Sequence, residues 1–154
     1  MNPLLPASAA SVFFDGIFAD PCLAHPEGVA IHADGTVWAG TERGDIVRIA
    51  ADGSGIERMA STGGFLLGIA FDAAGNCFAC DIKHKAVFRY DATTGACDRF
   101  ADSGITVPNY AVVDDTGGFL YVSDSLDPDG SVFRYDLATG RGGRWTTEPL
   151  CFAN

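Results

Sequence analysis

The chain repeats itself at intervals of about forty residues, and that period constrains the fold more than any single motif. HPEGVAIHADGTVWAG (25–40), FLLGIAFDAAGNCFAC (65–80) and VPNYAVVDDTGGFLYVSD (107–124) align, and CFAN (151–154) begins a further copy. The third residue of the first three copies is Glu27, Leu67 and Asn109, and Asn154, the fourth of CFAN, takes the corresponding place, at spacings of 40, 42 and 45 residues. Each copy opens with a short apolar run: Val29–Ile31, Ile69–Phe71 or Ala111–Val113. A turn rich in Asp and Gly follows, then a second apolar run carrying Trp38, Phe78 or Tyr121. The third run is IVRI (46–49), VFRY (87–90) or VFRY (132–135), and a fourth, weaker one falls near 56–60, 96–100 and 141–146.

Short apolar runs split by Gly, Asp and Asn are strand and hairpin signals, and no long stretch has a helical period. Four strands in a unit of this length predict an all-β chain built as a β-propeller. A lone four-stranded sheet cannot bury both faces, whereas radial stacking buries them and ring closure protects the edges. The units fall at about 25–64, 65–106 and 107–150, with the start of another at 151–154. That is about three and a half blades, fewer than the four to eight of a complete propeller. The segment 12–18 (VFFDGIF) reads as an outer strand that would close the ring with a late blade. The expectation is that a missing C-terminal half, or a second chain, completes the ring, and that this chain alone is inactive.

With 20 acidic and 10 basic residues the net charge is −10 and no basic cluster exists, which argues against a nucleic-acid partner. The acidity reads as Asp-containing turns on a solvated surface. The N-terminal stretch lacks the basic start and apolar core of an export signal and is too broken to span a membrane, so a cytoplasmic protein is expected. Five cysteines, an odd number, fit no disulfide framework. Cys77 and Cys80 have CxxC spacing, but residues three apart on a strand point to opposite faces and cannot chelate one metal, so buried structural thiols are expected.

If the repeats are blades, Glu27, Asn109 and Asn154 occupy equivalent places around one axis. They are oxygen donors, the type that suits hard divalent cations: calcium first, with magnesium, manganese and zinc as alternatives. Leu67 leaves its blade with only an apolar wall. His25, two residues before Glu27, is a candidate to line the same mouth. Any one of these residues alone would read as a turn or strand-start residue bonded to local backbone. Asp81 and Asp124 align with Thr41 and are expected to brace hairpins. His84, between Lys83 and Lys85, reads as a solvated hairpin tip. Ser125–Gly130 only faintly resembles a calcium loop and reads better as a hairpin tip. No nucleophile elbow or phosphate loop is present.

HPEGVAI at Glu27, VPNYAVVDDTGGFLYVSD at Asn109, GSVFRYDLATG (130–140) and the terminal CFAN resemble the gluconolactonase, regucalcin and luciferin-regenerating enzyme family. The resemblance covers residues 22–154 and about half of a family member. It implies a six-bladed propeller with one divalent cation in the central channel, and hydrolysis of sugar lactones and related small esters. Carried over, Glu27 matches the first metal ligand, Asn109 the Asn of the Pro-Asn motif, and Asn154 the Asn of the Phe-Ala-Asn-Gly motif. The family's fourth ligand, an Asp that also serves as general base, has no counterpart in 1–154. Where many sugar lactonases carry a substrate-binding Arg, this chain has Val107, so Val107 and Leu67 suit a less polar lactone. The implied chemistry is metal polarisation of a lactone carbonyl for attack by water. Two other readings stay open: a non-catalytic propeller that binds a partner on its top face, and a cation-binding protein with little catalysis.

Overall fold

The computed structural model describes residues 6–114, 118–126 and 128–153. Apart from one helical turn at Ala7–Ala9, the regular structure among these residues is β. The first sheet holds β1 (Val29–Ile31), β2 (Val37–Gly40), β3 (Asp45–Ile49) and β4 (Ile56–Ser61). The second holds β5 (Leu66–Phe71), β6 (Cys77–Asp81), β7 (Ala86–Tyr90) and β8 (Cys97–Ala101). The third holds β9 (Pro108–Asp114), β10 (Phe119–Asp124), β11 (Ser131–Asp136) and β12 (Gly142–Arg144). In every sheet sequential strands pair antiparallel, so each is a meander that matches one repeat.

The sheets stack in chain order through two apolar clusters. Between the first and second lie Trp38, Ile46, Ile69, Cys77, Ala79 and Tyr90. Between the second and third lie Phe78, Cys80, Val87, Ala111, Leu120 and Tyr135. Successive residues of β6 therefore face opposite neighbours, and the strand is buried throughout. Trp38 projects forward into the second sheet, where its ring meets Phe71 edge-on at 5.2 Å and Tyr90 at 5.7 Å. Full burial of a side chain such as Phe78 contributes roughly 1.5–3 kcal/mol, so the inter-sheet contacts supply most of what holds the stack together.

The strand-linking turns account for much of the acidity. Asp34, Asp72, Asp91 and Asp136 each accept backbone N–H bonds from residues two to four further on. A hydrogen bond from the Thr94 backbone, followed by that of the Arg89 guanidinium, draws the Asp91 carboxyl down to about 2.

The segment 12–18, expected as a ring-closing strand, is irregular. A strand needs a neighbour to bond to, and the blade it would join is not among the described residues. The segment instead reaches the first sheet, where the Phe13 carbonyl oxygen lies 2.4 Å from the place a Cβ on Gly53 would take. Ala24 accepts a bond from the Glu42 amide at 3.1 Å.

Candidate metal and substrate site

β1, β5 and β9 are the inner strands, each the first of its sheet and each packed against the next. Their backbones meet beside the repeat position singled out above. A Cβ on Gly28 would stand 2.7 Å from both the Leu67 oxygen and the Gly68 Cα. A Cβ on Gly68 would stand 2.5 Å from the Asn109 oxygen and 2.8 Å from the Tyr110 Cα. Glu27, Leu67 and Asn109 thus follow one another around the same end of adjacent inner strands, and only glycine at 28 and 68 permits so close an approach.

The ladder is interrupted at this same place. Leu66 pairs with Asp81 and Ile69 with Ala79, so Leu67 and Gly68 stand opposite Cys80 alone. Pro108 pairs with Asp124 and Ala111 with Val122, so Asn109 and Tyr110 stand opposite Ser123 alone. The Ser123 hydroxyl takes up the Tyr110 amide at 3.0 Å. These are β-bulges, which bend a strand and re-aim a side chain out of strict alternation. In the first sheet, Glu27 and Gly28 precede β1 altogether.

The Glu27 carboxylate is half exposed and its Oε1 lies 2.9 Å from His25 Nε2. His25 Nδ1 lies 3.5 Å from Glu42 Oε2, and the imidazole leans on the Phe65 ring at 6.0 Å. His25 has a left-handed backbone (φ 48°), uncommon for a residue other than glycine. Sequence reading missed Glu42 because it lies in the β2–β3 hairpin, fifteen positions from Glu27 and outside the repeat pattern. Among the described residues the Asn109 side-chain amide has no hydrogen-bond partner, and it is partly buried. Leu67 is nearly buried and Val107 partly so. Asn154 lies outside the described residues.

For a divalent cation these residues fit in kind and fall short in number. A carboxylate and an unengaged amide oxygen are hard donors, whereas such cations take six or more oxygens. Among the described residues no group of three or more His, Cys, Asp or Glu side chains is placed to hold a metal. Water and blades beyond these three sheets would have to complete the shell.

Two buried aspartates position the loops that enter the inner strands. Asp124 Oδ1 accepts the Val107 amide at 2.6 Å and Oδ2 accepts the Thr106 amide at 3.1 Å, just ahead of Asn109. Asp81 Oδ1 accepts the Phe65 and His84 amides, while Oδ2 accepts the Thr62 hydroxyl at 2.6 Å and faces His84 Nδ1 at 2.9 Å. Burial opposes charge on Asp81, but the hydrogen bonds from Thr62, His84 and Phe65 outweigh it and hold its pKa below the usual carboxylate value. These aspartates brace the β6–β7 hairpin or the strand-entry loop rather than a ligand. In the first sheet Thr41 substitutes, its hydroxyl accepting the Asp45 amide at 3.1 Å. His84, read as a solvated tip, is instead tied by its ring to buried Asp81, because β6 ends on that carboxylate.

Cys77 and Cys80 face opposite inter-sheet clusters, and burial pushes both thiols far above their ordinary pKa. All five cysteines are free. Ser125–Gly130 links β10 to β11 as a hairpin, with Asp127 outside the described residues. No helix among the described residues is long and apolar enough to cross a membrane, which says nothing of strands.

Residues 19–49 match the family described as strictosidine synthase-like, N-terminal. No curated protein sequence matches the chain. Among solved structures, a chain of the nidogen–laminin complex superposes with a TM-score of 0.74 at 18% identity, over 84% of this chain and 51% of that one. A gluconolactonase from Xanthomonas campestris superposes with a TM-score of 0.67 at 20% identity, over 83% of this chain and 49% of its own. The computationally designed Ika4 protein superposes with a TM-score of 0.66 at 10% identity, over 93% of this chain and 83% of its own. The chain spans about half the length of the first two, and these likenesses establish its three sheets as blades of a β-propeller.

Proposed function

We propose that this chain supplies half of a divalent-metal-dependent lactone hydrolase. The observation that carries the reading is the meeting of positions 27, 67 and 109 at one end of the inner strands, with bulges at the second and third. The gluconolactonase likeness and the strictosidine synthase-like match are consistent with it.

When bound, a divalent cation (calcium first, with magnesium, manganese or zinc as alternatives) supplies Lewis acidity toward a carbonyl oxygen. Glu27 gives a carboxylate and negative charge, and Asn109 a neutral oxygen that leaves the cation electrophilic. Asn154 belongs to the same proposed set. His25 holds Glu27 from one side and stands where a substrate would enter. Leu67 forms an apolar wall that excludes water. Val107 presents no charge, which favours a lactone with few hydroxyls over a sugar lactone. The group that takes the proton from the attacking water is assigned to a blade outside 1–154. Five unpaired cysteines suit a reducing, cytoplasmic setting.

The test is hydrolysis of a small aliphatic lactone by the closed ring, before and after chelation. The reading predicts loss on chelation, recovery with calcium, and no recovery in Glu27→Gln. Hydrolysis indifferent to chelator, or none with cation restored, contradicts it.

A further inference from the structure

The rim that carries positions 27, 67 and 109 also carries the two lysines of this sequence, Lys83 and Lys85, on either side of His84. Strand pairing puts them there. Asp81, the last residue of β6, lies opposite Leu66 at the start of β5, and the Ile82 amide donates to the Phe65 carbonyl oxygen at 3.0 Å. The β6–β7 tip therefore stands over the end of the second sheet where Leu67 lies. Phe65 links it to the candidate ligands, since the His25 imidazole beside Glu27 leans on the Phe65 ring. The corresponding tip of the first sheet carries Glu42 and Arg43, and the third, 125–130, has Asp127 and Asp129 in its sequence and no basic residue. Of the three tips, the middle one alone carries more positive than negative charge.

This tip is fixed on three sides and open on the fourth. Buried Asp81 faces His84 Nδ1 at 2.9 Å and accepts the His84 amide at 3.0 Å. Lys83 Nζ donates to the Gly63 carbonyl oxygen at 2.8 Å. Arg99 Nη1 reaches the His84 carbonyl oxygen at 3.5 Å, with its guanidinium over the Phe88 ring on which His84 also leans. An ionised carboxylate only accepts, so Asp81 keeps a proton on Nδ1 and leaves Nε2 on the far edge of the ring. Among the described residues neither Nε2 nor the Lys85 ammonium has a partner, and Lys85 is exposed. The nearby carboxylates are already engaged, Asp81 beneath the imidazole and Asp102 by Arg99 at 3.2 Å.

We propose, resting on the lactonase reading for the rest of the ligand, that this tip binds a carboxylate carried by the substrate, so that the lactone taken at the mouth has an acidic tail. The ring lies against Leu67 and Val107, which offer no charge, and the tail reaches over the rim. Lys85 supplies a free ammonium, and Nε2 becomes a second donor when the imidazole takes up a proton with the anion. Two donors side by side match the two oxygens of one carboxylate. Because Asp81, Gly63 and Arg99 already hold the tip, little freedom is lost on binding.

γ-Lactones with carboxyalkyl tails of graded length, beside the carboxamides of the same tails, test this in the closed ring with calcium present. Binding is read from the His84 and Lys85 backbone amide resonances, and turnover from ring opening. At the best length the carboxylate should bind at least tenfold more tightly than its amide, with a correspondingly lower KM. Lys85→Gln, at an exposed position without a partner, should remove most of that preference, and Lys85→Glu should reverse it. Carboxylate and amide bound alike at every length, or a preference that survives Lys85→Glu, overturns the subsite and leaves the lactonase reading standing. Carboxylate binding at the tip with no ring opening in either series supports the subsite and overturns the lactonase reading instead.

Discussion

At the scale of single residues, the aspartates that end β6 and β10 carry more of the architecture than the exposed ion pairs. Asp124 takes up two backbone amides that would otherwise be left unbonded, in a site 3% exposed. Asp124→Ala is expected to cost about 2–4 kcal/mol, since each unsatisfied buried donor costs roughly 1–3 kcal/mol. Urea unfolding measures it. Because Asp81 has a lowered folded pKa, it stabilises the fold above the ordinary carboxylate value of about 3.9 and loses that contribution as pH falls through the lower, folded value. Thermal melts from about pH 5 downward should show Asp81→Asn losing less stability than the wild type across that window. The exposed Arg48–Glu57 and Arg99–Asp102 pairs should change stability by well under about 1 kcal/mol when removed.

At the scale of elements, most strands are legible in the sequence because apolar runs and Asp-Gly turns report directly on pleat and hairpin. The expected third runs, 46–49, 87–90 and 132–135, lie within β3, β7 and β11. The bulges at Leu67–Gly68 and Asn109–Tyr110 were not legible, since a bulge is a mismatch between two strands and leaves no trace in either alone. Glu42 beside His25 escaped for a related reason: its place depends on how a hairpin folds over the preceding loop. Segment 12–18 reads as a strand by composition, but composition does not supply the partner whose N–H and C=O groups a strand requires. The close approach of the inner strands gives the element-scale prediction. Gly68→Ala drives a methyl into the Asn109 carbonyl oxygen at 2.5 Å, and backbone cannot yield as a side chain would. A loss of about 1–3 kcal/mol is expected, with Gly143→Ala, a strand position at ordinary φ whose added methyl meets nothing within 4 Å, as the control.

At the scale of the whole molecule, three sheets stack into an arc through two buried apolar clusters, in which the Tyr135 hydroxyl is left without a hydrogen-bond partner among the described residues. The arc brings a carboxylate, an apolar wall and an unengaged amide into sequence along one rim, and the proposed chemistry depends on that rim becoming a closed mouth. Calorimetric titration of calcium into the closed ring, wild type beside Glu27→Ala, tests the assignment most directly. The account predicts a saturable site in the wild type and at least a tenfold weaker one in the variant. Equal affinity in the two proteins would contradict the placement of the cation at Glu27, and with it the proposed site.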